Sequence, residues 1–262
     1  LRHLFPVTQT DTIKHVRDAG ASVNMLSDRH SNVSMSCDGS RWQSKKGPQI
    51  RWMMAQLEPM LDAATAAQQE KRPVNILDVG GGKGLLSAAI AQRFGSRVHV
   101  RVLDVGAAAI HSGRVRAQRG KIPNLEFALG DASVVDCAGV DIVVSLHGCG
   151  ALSDVAIGHA VAAGAAFLVC PCCFLSNPTL GVTIPSAQTP AGHRETERVS
   201  VEKWLQVNSE DYLSLRQLAE SQEKFSAKMA GDAIHAICAL RARAATYHAR
   251  ERGHEELLEV KI

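Results

Sequence analysis

Residues 75–84 read Asn-Ile-Leu-Asp-Val-Gly-Gly-Gly-Lys-Gly, a short apolar run that ends on the acidic Asp78 and opens into four glycines within five positions. Glycine lets a backbone turn at positive φ and lets a ligand approach closely. A helix that starts after such a turn also presents unpaired N–H groups to it. The pattern therefore fits a nucleotide-like cofactor, and the spacing excludes two kinds. A dinucleotide fingerprint starting at Gly80 needs glycine where the chain has Leu85, and a P-loop needs Gly-Lys-Ser/Thr where it has Gly82-Lys83-Gly84. What remains is Asp78-x-Gly80-x-Gly82-x-Gly84. Asp104, at the end of the next apolar run, can accept from both ribose hydroxyls of such a cofactor. Its plainer alternative is a cap on the helix that follows.

A second set of chemically capable residues lies further on, in Leu146-His147-Gly148-Cys149-Gly150 and Cys170-Pro171-Cys172-Cys173-Phe174. Three chemical readings stay open. His147 can act as general base toward a hydroxyl or ring nitrogen, since imidazole titrates near neutral pH, with Cys149 and Cys172 lining the acceptor pocket. A cysteine thiolate of lowered pKa can attack a pyrimidine ring. Thiolates with an imidazole suit zinc, although no residue is assigned as a metal ligand from the sequence. Against these stands simple packing of small, partly buried cysteines.

Positioning these residues takes a particular scaffold. From residue 71 short apolar runs at 73–79, 97–105, 125–130, 140–146 and 166–171 alternate with helical stretches at 84–94, 107–118 and 153–163. That alternation predicts an α/β fold with a mostly parallel central sheet and helices on both faces. Ser153 is a candidate N-cap, with Asp154 in the first turn. A polar loop is expected over 176–197, a helix capped by Ser209 through Lys224, a longer helix over 227–252 and a last strand at 257–262. Ligands of open α/β sheets bind beyond the carboxyl ends of the strands, where both sets of residues fall. Residues 1–70, with a helix over 50–69, are expected to form an extension that acts as lid or substrate platform, and residues 71–262 the cofactor domain.

In its Asp78-to-Gly84 spacing the chain resembles motif I of the class I S-adenosylmethionine-dependent methyltransferases. That resemblance implies a Rossmann-like fold with S-adenosylmethionine as cofactor. The methionine end would be held by Asp78, Gly80, Gly82 and Gly84, the ribose by Asp104, and the adenine beside Asp131 and Ala132. Leu-His-x-Cys-Gly, the following Ser153-Asp154, Cys-Pro-Cys-Cys-aromatic and an upstream Lys45-Lys46-x-x-Gln49 together resemble one subfamily. It includes the methyltransferase-like domain attached to a glutathione-transferase-like module and, more distantly, the tRNA ribose methyltransferases of the acceptor stem. The resemblance covers about residues 43–262. It implies methyl transfer, with RNA, tRNA in particular, as the leading substrate class and partner.

Composition is consistent with this and does not sharpen it. Twenty-nine basic against 26 acidic residues leave a net charge of +3, too small to imply nucleic acid by itself. Seven cysteines without regular spacing do not form a disulfide framework in 262 residues and favour a reducing, intracellular compartment. Residues 155–175 are mostly apolar, yet His159, Gly164 and Pro171 divide them into a buried helix and a buried strand, so no membrane partner is expected. Oligomeric state leaves no mark on the sequence.

Overall fold

The computed structural model describes residues 46–68, 71–135, 137–185, 196–221 and 226–252. The expected strand at 257–262, Lys45 and most of the N-terminal extension lie outside them. Helix α1 (Gly47–Ala67) precedes β1 (Val74–Val79), α2 (Leu85–Phe94), β2 (Val98–Asp104), α3 (Ala107–Arg119), β3 (Leu125–Leu129), β4 (Ile142–Leu146), α4 (Ala151–Ala163) and β5 (Ala166–Cys170). A short pair β6 (Val182–Pro185) and β7 (Thr196–Val199) follows, then α5 (Val201–Leu205), α6 (Ser209–Glu220) and α7 (Ala227–Arg250).

The five strands β1 to β5 form one parallel sheet in the order β3-β2-β1-β4-β5. Successive strand residues point to opposite faces, and both faces are covered. Ile76, Ile142 and Val144 pack with Ile50, Met53, Leu57 and Leu61 of α1 and with Leu86 and Ile90 of α2. Leu77, Val79 and Val143 pack with Val155, Ala156 and Ala160 of α4. Continuous burial explains the uninterrupted apolar runs. Chain order reverses between β1 and β4, the switch point at whose carboxyl ends open α/β sheets bind ligands in a crevice.

Three expectations fail for local reasons. Ser153 is not the N-cap of α4. Gly150 is, at φ 57, and the Ser153 hydroxyl inside the first turn donates to the Gly148 carbonyl. The segment 176–197 is not all loop, because β6 pairs antiparallel with β7 and buries Val182 against α4 at Gly158. The helix capped by Ser209 is capped instead by Asn208, whose Oδ1 accepts from Glu210 N at 2.8 Å, and it ends at Glu220. Among the described residues no helix is long and apolar enough to cross a membrane.

Candidate functional site

The glycine loop links β1 to α2 with Gly80, Gly82 and Gly84 all at positive φ. It is tied to the sheet by Gly80 N donating to Leu103 O at 2.8 Å, and Gly84 O accepts from Ala88 N at 2.9 Å as α2 begins. Gly82 faces open space: a Cβ there would find only Asp104 Oδ2, at 3.9 Å. The Asp104 carboxylate spans the crevice wall, with Oδ2 accepting from Gly82 N at 2.9 Å and Oδ1 from Gly106 N at 2.7 Å. Asp104 therefore caps the turn before α3, the plainer of the two roles weighed from the sequence, and also braces the glycine loop.

Asp78 is 1% exposed at the end of β1. Its Oδ2 accepts from Ser87 Oγ at 2.5 Å, while Oδ1 is buried with no partner among the described residues. Burial pushes its pKa up to about 6 against the Ser87 hydrogen bond, and the Asp104 charge adds to the rise. An orphaned carboxylate oxygen, a second carboxylate beside it and an open glycine cradle fit a ligand that brings positive charge and hydroxyl donors. S-adenosylmethionine, with its ammonium, sulfonium and ribose, has that chemistry.

Asp131 stands exposed after β3, and its Oδ1 accepts from Ser133 N and Ser133 Oγ, each at 2.8 Å. Both bonds hold its pKa below the usual carboxylate value and set the short 3-10 turn Ala132–Val134. The Ala132 carbonyl is fixed by the ring of buried His159 on α4, whose pKa burial lowers.

Across the sheet, the ends of β4 and β5 are stitched together. His147 N donates to Cys170 O and Gly150 N to Cys173 O, both at 2.9 Å, and Asn177 Nδ2 reaches Cys149 O at 2.9 Å. A Cβ on Gly150 would lie 1.7 Å from Ser176 O, so only glycine allows the two loops this approach. The sulfurs of Cys149 and Cys172 are 3.0 Å apart, and with Cys173 all three lie within 4.8 Å of one another. His147 is not part of that group. At φ 66, in the left-handed region, it is exposed and its Nε2 is 3.1 Å from Gln49 Oε1 of α1. Burial pushes the Cys149 and Cys172 thiols up, opposite to the lowered pKa that a free thiolate nucleophile requires.

Supports that the sequence did not single out come from the C-terminal helices. Glu220 Oε1 on α6 accepts from Phe174 N and from Leu175 N, and Arg216 Nε donates to Phe174 O at 2.6 Å. Arg241 on α7 pairs with Asp154 through two bonds, 3.0 and 2.8 Å, and donates to Gly150 O at 2.9 Å. No motif announces them. Arg241 shares its alanine-rich helix with Arg243 two residues on, and the sequence alone does not say which of the two turns inward.

Residues 45–176, half of the chain, match the family described as a methyltransferase domain. The chain belongs to this family, and the glycine cradle, Asp78 and Asp104 fit S-adenosylmethionine as its cofactor. A 57-residue stretch is 40% identical to the ubiquinone/menaquinone biosynthesis C-methyltransferase UbiE of Brucella suis, covering 21% of this chain and 21% of that protein. The chain thus spans about a fifth of the length of the curated relatives it matches. Among solved structures, the apo methyltransferase SibL is 24% identical with a TM-score of 0.33, over 44% of this chain and 36% of that one. YcgJ of Bacillus subtilis is 19% identical with a TM-score of 0.32, over 56% and 64% of the two chains.

Proposed function

We propose that this protein transfers the methyl group of S-adenosylmethionine to a hydroxyl of RNA, tRNA being the leading example, with His147 as general base. The observation that carries this reading is the 3.1 Å contact between His147 Nε2 and Gln49 Oε1. It joins the Lys-Lys-x-x-Gln element to the Leu-His-x-Cys-Gly loop beside the sulfur cluster, as an acceptor site built from those motifs would need. Lys46, exposed at the start of α1, is available to a phosphate. The choice of RNA follows the subfamily resemblance of these motifs.

In this reading Asp78, Gly80, Gly82 and Gly84 hold the methionine end of the cofactor, Asp104 the ribose, and Asp131 with Ala132 the adenine. When bound, S-adenosylmethionine supplies a methyl group on a sulfonium, already activated for transfer. With Gln49 Oε1 as acceptor, Nε2 of His147 carries the hydrogen, which leaves the Nδ1 lone pair to take the proton of the acceptor hydroxyl. Cys149 and Cys172 form the wall of the acceptor pocket.

The test is transfer from labelled S-adenosylmethionine into RNA, protein and small-molecule fractions. Label in RNA is expected. His147→Asn keeps a residue that tolerates positive φ and, like Cys172→Ser, should cut turnover at least about tenfold with cofactor affinity nearly unchanged, the mark of a transition-state contribution. Label confined to protein or small molecules overturns the RNA assignment. Cofactor binding without transfer into any fraction makes the chain an assembly or interaction factor instead.

A further inference from the structure

Three sulfur atoms from two strand ends converge beyond β4 and β5, and nothing in transfer chemistry requires three. Cys149 lies 23 residues before Cys172 and approaches it to 3.0 Å, and Cys173 completes a set within 4.8 Å. A tetrahedral zinc site with Zn–S of about 2.3 Å places its sulfurs about 3.8 Å apart. One observed spacing, 3.0 Å, is shorter than that value and the others are no more than 4.8 Å, so small side-chain rotations bring the three sulfurs to it. A disulfide would use only two of the three.

We propose that Cys149, Cys172 and Cys173 bind one zinc ion as thiolates. Binding releases their three protons to solvent and changes no oxidation state. Three soft sulfur donors favour zinc over magnesium or calcium. Among the described residues no histidine, carboxylate or further cysteine completes the set. The fourth coordination position therefore falls to water or to an atom of the acceptor, the arrangement of a catalytic rather than a structural zinc site. The sequence alone left zinc open to His147, Cys149, Cys172 and Cys173, whereas the structure turns that imidazole to Gln49 and gathers the three sulfurs without it.

The backbone that carries the three sulfurs is fixed without help from any ion. Gly150 N holds Cys173 O, Asn177 holds Cys149 O, and Glu220 with Arg216 holds the backbone at Phe174 and Leu175. Such outer contacts orient ligands before a metal arrives and tune its affinity. Ser176 Oγ, 3.2 Å from Cys173 Sγ, adds a hydrogen bond that can persist to a bound thiolate.

The experiment is elemental analysis of the full chain purified under reductant without chelator, with cobalt(II) substitution as a second readout. About one equivalent of zinc is expected. Cobalt should give a strong thiolate charge-transfer band in the near ultraviolet with tetrahedral d–d bands. Cys172→Ser should lower zinc affinity at least about tenfold, and Glu220→Gln, which touches no sulfur, about tenfold as well. The proposal is overturned if the wild-type chain takes up no zinc when it is added. It is overturned equally by a mass two hydrogens low that reduction restores, or by full zinc retention in a Cys149→Ser/Cys172→Ser/Cys173→Ser variant. Titration with S-adenosylmethionine reads the cofactor site apart from this outcome, since the two share no residue.

Discussion

The two sides of the crevice are held by different means. On the β2 side, the cofactor loop is organised by neighbours in sequence: Asp78 meets Ser87 nine residues on, and Asp104 reaches back 22 residues to Gly82. On the β4 and β5 side, each loop is pinned by a distant element: Gln49 lies 98 residues from His147, Arg241 87 from Asp154, and Glu220 46 from Phe174. A local device can be tuned for its ligand with little consequence elsewhere. A tertiary one ties the geometry of the site to the stability of the whole domain.

The largest effect should therefore come from the acceptor side. Arg241 and Asp154, with side chains 4% and 0% exposed, are both removed from water. Arg241→Met leaves Asp154 as an uncompensated buried charge and should cost about 3–5 kcal/mol in denaturant unfolding. The double variant Arg241→Met/Asp154→Leu removes both charges and should recover most of that loss. A single-variant cost below about 1 kcal/mol would show that the loops do not depend on this clamp.

On the cofactor side the corresponding change should act in the opposite direction. Asp78 has a folded pKa of about 6 against an ordinary 3.8. The folded chain thus keeps a proton that the unfolded chain has already released between those values. The penalty is absent below about pH 4, grows as pH rises through the window, and reaches about 3 kcal/mol above pH 6. Asp78→Asn should therefore stabilise the ligand-free protein at pH 7, by up to about 3 kcal/mol, and flatten this pH dependence, while weakening S-adenosylmethionine binding. Thermal melts from pH 4 to 8 with and without the cofactor read both arms. A variant less stable than wild type at pH 7 would break the comparison.

The same contrast explains what could be read from the sequence. Asp78, Gly80, Gly82, Gly84 and Asp104 fall in one continuous stretch because a local device has to be written locally, and the five strands announced themselves through burial on both faces. On the acceptor side the motifs were visible and their supports were not. Ser153 looked like a cap because nothing nearby shows that Gly150 must lie against Ser176, an approach set by the stitching of two loops. β6 and β7 are four residues each within a Pro-, Ser- and Thr-rich stretch, and only their pairing and the burial of Val182 make them strands. His147 and the cysteines were expected to share one pocket wall, and the separation of the imidazole from the three sulfurs required α1 in place.

Asp104→Ala sharpens the cofactor side further. Its loss removes two charge-assisted bonds to Gly82 N and Gly106 N along with any ribose contact. Affinity for S-adenosylmethionine should fall by about 1–3 kcal/mol in titration calorimetry. Unchanged affinity with lowered stability would make Asp104 a brace of the loop only.

The smallest effect, and the one that probes the acceptor side most directly, is at Gln49. Its Oε1 fixes which nitrogen of His147 carries the hydrogen, and α1 is already anchored by buried Ile50, Met53, Leu57 and Leu61. Gln49→Leu should therefore leave folding and cofactor affinity near wild type. It should lower kcat by the equivalent of about 1 kcal/mol, the worth of one hydrogen bond. Gln49→Glu keeps an acceptor oxygen at the same place and should restore most of the rate. If the leucine variant instead melts earlier with kcat unchanged, the contact holds α1 to β4 and nothing more. The N-terminal helix would then belong to the scaffold, and the acceptor side would lose its link to the imidazole.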